Sequence, residues 1–234
     1  MDRTSCTEVR LPFEAVAPND ASLEPFNDLK RRVEITRDAR FQANLRLERR
    51  QKASYFVISM LSLFVIILSL LPNIYSFSDS QTQLLLSLTI VNSVFVIITT
   101  FLEASGNFAH KGEQLHRSAR KVATVFNKLM LLSEVDRTDK EKIEELQAEY
   151  QEALDDCPFN HDNIDYDLIK TTKPSLFQGR IGGGKLLPLY TLLRYARYKA
   201  TEYAWLIPHL VVTLLSIWIV LSILSNLEGG PLLY

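Results

Sequence analysis

Three groups of residues have the types and spacing that chemistry would need. The first is Gly179-Arg180-Ile181-Gly182-Gly183-Gly184-Lys185, which nearly spells the phosphate-cradling pattern G-x-x-x-x-G-K-[ST]. Leu186 stands where a serine or threonine hydroxyl would hold magnesium, so the magnesium ligand is missing. The preceding Lys173-Pro174-Ser175-Leu176-Phe177-Gln178 does not read as a buried strand. No alternation of strands and helices surrounds it, and the run reads as a hinge over 171–186.

The second group is Cys157-Pro158-Phe159-Asn160-His161-Asp162-Asn163-Ile164-Asp165-Tyr166. His161 with Asp162 and Asp165 has the makings of a metal site or a proton-transfer pair. No second His or Cys stands at ligand spacing and no nucleophile is placed nearby. Asn160, His161, Asp165 and Tyr166 therefore read as a structural motif in which Asn and Asp cap and turn the chain. The third group interleaves Tyr190, Tyr195, Tyr198 and Tyr203 with Arg194, Arg197 and Lys199. Such a pattern can stack nucleic-acid bases. Beside an apolar block it reads as an interfacial belt, and a net charge of -1 supplies no basic field for nucleic acid. Cys6 and Cys157 form no disulfide framework. No catalytic constellation, metal ligand set or cofactor is expected, and the chain does not read as an enzyme.

The elements around these groups are dominated by three apolar blocks, 53–72, 83–103 and 204–225. Each is close to the ~20 residues needed to cross a ~30 Å hydrocarbon core. The first ends at Pro72-Asn73, and the short polar link to the second forces an antiparallel hairpin. Lys30 to Lys52 carries nine basic residues against three acidic ones, whereas the hairpin link and the C-terminal tail carry none. Lys111, Arg117, Arg120 and Lys121 follow the second block, and Arg194, Arg197 and Lys199 precede the third. The positive-inside rule then places the N-terminus and the middle of the chain in the cytoplasm and the C-terminus outside.

Residues 1–28 are acidic, punctuated by Pro12, Pro18 and Pro25, and expected to be disordered. A basic helix from Leu29 should run into the first span. After the second span, Leu115, Ala119, Val122, Phe126 and Leu129 form an apolar stripe, and Ile143, Leu146, Tyr150 and Leu154 form another. Two such amphipathic helices over 104–156 make either a hairpin burying its own seam or a self-associating coiled coil. The fold class is thus an all-α membrane protein: a transmembrane hairpin, a cytoplasmic helical hairpin, and an interfacial helix leading to a third, C-terminal span in 187–234.

The spans also carry polar stripes. Thr89, Asn92, Val96, Thr99 and Glu103 share a face of the second, Ser59, Ser62, Ile66 and Ser69 a face of the first, and His209, Thr213, Ser216 and Val220 a face of the third. Polar atoms are costly against lipid, so these faces should meet protein or water. One reading is ordinary helix packing. The other is an oligomeric pore lined by Ser59, Ser62, Thr89, Asn92 and Thr99, with Glu103 at its cytoplasmic mouth.

The order of short motifs resembles a known family. Ala39-Arg40-Phe41 and Arg46-Leu47 precede the hairpin, whose second span leaves as Phe101-Leu102-Glu103-Ala104-Ser105. Leu115-His116-Arg117-Ser118-Ala119-Arg120 follows, then Asn160-His161 and Asp165-Tyr166. This is similar to the SLATT domain, the SMODS- and SLOG-associating two-transmembrane effector, in its reverse-transcriptase-associated subgroup. The likeness covers Leu29 to Leu168 within a core of 29–170 and leaves the third span outside. It implies a bacterial antiviral effector of the inner membrane. Such an effector would form homo-oligomers and open a pore or disrupt the bilayer when a neighbouring sensor, such as a reverse transcriptase or nucleotidyltransferase, reports infection. A non-conducting membrane anchor that recruits a cytoplasmic enzyme is the alternative from another class.

The charge flanks make a direct prediction about sidedness. In intact cells, an impermeant thiol reagent should modify Asp79→Cys and spare Lys111→Cys. The opposite pattern would invert the orientation.

Overall fold

The computed structural model describes residues 20–177 and 187–225, all of whose regular elements are helical. The glycine-rich run of the near-phosphate loop, residues 179–185, lies outside the described residues. So do residues 1–19, most of the N-terminal segment expected to be disordered.

α1, Asp20–Ile74, is one unbroken helix of 55 residues. At ~1.5 Å per residue it is about 80 Å long, more than twice the ~30 Å of a hydrocarbon core. Its C-terminal part is the first span, and the rest must find cover elsewhere. α2, Asp79–Gly106, returns antiparallel after the four-residue link 75–78. A capping box opens α2: Ser78 Oγ accepts from the Gln81 backbone at 3.4 Å, and Gln81 Oε1 accepts from the Ser78 backbone at 3.0 Å. Asn107 ends α2 in the left-handed region, with φ 49° and ψ 41°. Asn tolerates this conformation better than most residues, and the break redirects the chain into α3, Phe108–Leu131.

α3 lies along α1, and after a 3-10 turn at Asp136–Thr138 the chain enters α4, Lys140–Asp155. The two stripes read from the sequence do meet, with a third partner between them. Phe26, Leu29 and Val33 of α1 complete a core with Val122, Val125 and Leu129 of α3 and Ile143, Leu146, Tyr150 and Ala153 of α4. The head is therefore a three-helix bundle. α1 begins at Asp20, ahead of the boundary expected at Leu29. Pro25 costs it one backbone bond near its start, and burial of Phe26 and Leu29 offsets that loss. α5, Asn163–Thr172, packs on α1 through Ile169 against Ile35 and Ala39.

α6, Leu187–Tyr203, packs on α5 and passes through a 3-10 turn at Ala204–Leu206 into α7, Ile207–Ser225. Among the described residues three helices are long and apolar enough to cross a membrane, in α1, α2 and α7. α7 runs back along the hairpin. Its Val220 and Ile223 meet Leu68 of α1 and Leu85 of α2 near the hairpin turn. Large apolar side chains such as Phe56, Ile97, Phe101 and Trp218 point outward around this trio, as lipid-facing residues should.

Candidate functional site: an arginine row and a polar seam

Where α1 leaves the head for the membrane, three arginines occupy positions 46, 49 and 50. Spacings of three and four put them on neighbouring parts of one helical face. Each holds a carboxylate from a different element. Arg46 grips Asp165 of α5 bidentately, Nε to Oδ1 and Nη2 to Oδ2, both at 2.9 Å. Its Nη2 also donates to Asp162 at 2.6 Å. Arg49 pairs with Glu202 of α6 at 2.8 Å and donates to the Tyr198 hydroxyl at 3.2 Å. Arg50 reaches Glu103 of α2 at 3.3 Å, and Ser54 Oγ donates to the other carboxylate oxygen at 2.8 Å. The Arg50 guanidinium also lies over the Phe108 ring, 4.0 Å from its centroid.

The Asp165 side chain is 0% exposed and that of Arg46 only 12%. Asp165 is also the third residue of α5, and its Oδ2 accepts the Asp162 backbone N–H at 3.1 Å. The capping role read from the sequence and the ion pair thus share one carboxylate. Burial opposes the Arg46 charge, but the Asp165 and Asp162 carboxylates outweigh it and hold its pKa above the ordinary arginine value. Breaking such a pair from one side strands a buried charge, at a cost of ~3–5 kcal/mol.

Arg40 is buried deeper in the head. It donates to Ser118 Oγ, and to the Ala153 carbonyl at 3.4 Å. Burial holds its pKa below the ordinary value. The remaining members of the Asn160–Tyr166 motif close the turn between α4 and α5. Asn160 Oδ1 accepts the His161 backbone N–H at 2.9 Å. Tyr166 lies edge-on to Phe177, with Lys170 Nζ 4.3 Å from its ring centre. His161 Nδ1 is buried without a hydrogen-bond partner. Among the described residues no group of three or more His, Cys, Asp or Glu side chains could hold a metal. Cys157 is a free, buried thiol.

The second feature is the polar seam inside the spans. Asn92 is 1% exposed. Its Nδ2 donates to the Leu88 carbonyl at 2.8 Å and to Ser216 Oγ of α7 at 3.0 Å, and Ser216 Oγ donates back to Oδ1 at 3.3 Å. Thr99 is buried on the same face, and Thr89 bonds the Leu85 carbonyl of its own helix at 2.8 Å. The serines of α1 sit elsewhere. Ser59 is exposed and Ser62 half-buried, each bonded to a carbonyl one turn back at 2.8 Å. Of the six pore-lining candidates, the single chain therefore gathers Asn92 and Thr99 with Thr89 beside them. It ties Glu103 to Arg50 and leaves Ser59 and Ser62 apart. Sequence reasoning passed over Arg46, Arg49, Arg50, Ser54 and Glu202 as individual contacts. Lone acids flanking the spans, Glu103 and Glu202, were the available signal.

The SMODS and SLOG-associating 2TM effector domain family 5 matches residues 22–225. The chain belongs to that family. The match runs through α7, so the third span falls inside the family's extent, whereas the likeness in the sequence stopped at Leu168 and left that span out. No curated protein and no solved structure matches the chain. This SLATT protein is thus a membrane protein with an effector-family domain whose head and three spans form one helical unit.

The buried imidazole gives the head a pH dependence of known sign. Burial pushes the His161 pKa below its ordinary 6.5; the Asp165 and Asp162 carboxylates pull it up, and Arg40 adds to the lowering. Below 6.5 the unfolded chain binds a proton that the folded head resists, so stability falls as pH drops through that value towards the folded pKa. Thermal unfolding followed in detergent should show a lower midpoint on acidification, and His161→Gln should flatten that slope. Identical slopes for the two proteins would remove His161 as the cause.

Proposed function

We propose that this chain is a bacterial antiviral effector of the inner membrane. In this reading several copies assemble into a pore, or otherwise breach the bilayer, when a partner sensor signals infection. The observation that carries it is the polar seam: a carboxamide at mid-span with hydroxyls above and below, leading towards a carboxylate at the head-side end. Polar groups at that depth are costly and mark ion pathways or interhelical contacts. Within one chain the seam is closed by the Asn92–Ser216 pair, so in this reading conduction takes several copies around a common axis. The family's effector description agrees with this. Its naming by association with SMODS and SLOG domains fits a partner encoded nearby, such as a nucleotidyltransferase or reverse transcriptase. The head, with its basic flanks, would lie in the cytoplasm where that partner would be met. Its work in this reading is mechanical and needs no catalysis, cofactor or nucleic acid.

A second reading is favoured by a specific observation. Asn92 and Glu103 both find partners within one chain, as they would in a non-conducting anchor that presents its head to a cytoplasmic enzyme. Asn92→Leu separates the two. It keeps a similar volume and makes the span more apolar, so insertion should not suffer. In a pore, membrane depolarisation on induced expression falls while the chain persists in the membrane. In an anchor, loss of one interhelical bond, worth about 0.6–2 kcal/mol, lowers abundance, and no depolarisation exists to be lost. A potential-sensitive dye and an immunoblot on the same cells read both, and unchanged depolarisation by well-expressed Asn92→Leu would exclude a pore lined by this residue.

A further inference from the structure

We propose that α7 is an intramolecular plug: it covers the face of α2 through which a second copy pairs, and it must withdraw before copies can assemble. The inference rests on the pore reading and adds to it what keeps a single chain closed. α2 presents Leu85, Leu88, Asn92, Phe95 and Thr99 at alternating spacings of three and four, the seam of a coiled coil. α7 answers with His209, Ser216, Val220 and Ile223. The His209 ring meets Phe95 edge-on with centroids 5.5 Å apart, and Val220 and Ile223 join the cluster around Leu85. The Asn92–Ser216 pair joins these two helices through polar atoms. Thr213 turns its hydroxyl to the His209 carbonyl of its own helix at 2.7 Å.

The grip of α7 differs from that of the other two spans. Lipid is as apolar as the helices, so association within it relies on packing and hydrogen bonds alone. α1 and α2 are joined by a four-residue link at one end and by the Arg50–Glu103–Ser54 cluster at the other. α7 has neither restraint in the membrane. It is held at the head side through α6, whose Glu202 is clasped by Arg49 and by Lys199 at 2.8 Å. A rearrangement of the head would therefore reach α7 through this clasp and leave the hairpin intact.

Withdrawal strips Asn92 of Ser216 and leaves its amide only the Leu88 carbonyl. The group that best replaces the lost partner is another Asn92, because two carboxamides each offer a donor and an acceptor. A single buried Asn in such a seam sets which helices pair and in what register. The occupant of the uncovered face is therefore a second copy of this chain.

The two ends of one hydrogen bond should then give opposite effects. Asn92→Leu removes the group the assembly needs, whereas Ser216→Ala loosens the plug and spares that group. The full chain is expressed with Cys6 and Cys157 replaced by serine and with Thr99→Cys as a reporter, and membrane abundance is matched by immunoblot. Ser216→Ala should raise depolarisation per chain about three- to thirtyfold, the population shift expected for one interhelical bond lost in a membrane. It should also raise the yield of Thr99→Cys disulfide-linked dimer on oxidation, and Ser216→Thr should behave as the parent. Depolarisation by the parent that Ser216→Ala leaves unchanged or lowers would overturn the plug while the pore stands. More dimer with no depolarisation in any variant would uphold the covered face and overturn the pore.

Discussion

The buried pair between Arg46 and Asp165 ties α5 to α1 at the junction of head and spans, the place on which the arrangement of the chain turns. An 80 Å helix (at ~1.5 Å per residue) cannot be satisfied by a bilayer, so α1 has two solvents, and its change of surroundings falls near Arg46, Arg49 and Arg50. There the first arginine anchors α5, the second α6 and the third the end of α2. A row of cations at the edge of a membrane would ordinarily lie on lipid headgroups. Here each is turned onto protein, and the elements that follow the hairpin are arranged around α1 as a consequence. Asp165 can serve this role because it is also the capping residue of α5, so local and tertiary demands coincide on one carboxylate.

Inside the membrane the controlling quantity changes. In the head, apolar burial drives α1, α3 and α4 together. Among the spans that drive is absent, and the Asn92–Ser216 pair together with shape specifies how α7 sits on α2. The chain thus has a head held by a buried core and charged clasps, and a third span seated on α2 by the Asn92–Ser216 pair and close packing. Unequal strengths of this kind are what the proposed withdrawal of α7 draws on.

The spans and the polar face of α2 were legible in the sequence because hydrocarbon imposes length and excludes charge so strictly. The stripes on α3 and α4 were legible for the related reason that 3.6-residue periodicity marks a buried face. What a face meets is a different matter. Periodicity shows that Asn92 points inward and says nothing of Ser216, which lies more than a hundred residues away. The helix from Leu29 was legible, but its start at Asp20 and its place in the head core were hidden by composition: Phe26 follows Pro25, and Leu29 and Val33 are scattered among basic residues. The break at Asn107 had a local signal in Ser105-Gly106-Asn107. Asp165 was recognised as a turn residue, but its second role needed Arg46, brought there only by tertiary folding.

The most direct test of this account is a double-mutant cycle at the junction, with Arg46→Gln, Asp165→Asn and both together, followed by thermal unfolding of the full chain in detergent. If this pair organises the junction, Arg46→Gln strands the buried Asp165 carboxylate, Asp165→Asn leaves Arg46 only the exposed Asp162, and the double change removes both members of the pair. The double variant should then be more stable than the sum of the singles by about 1 kcal/mol or more, within the usual ~0.5–3 kcal/mol for directly interacting residues. Additive losses, agreeing within ~0.3–0.5 kcal/mol, would mean that Arg46 and Asp165 act independently, and α5 would have to be held to α1 at the junction by something else.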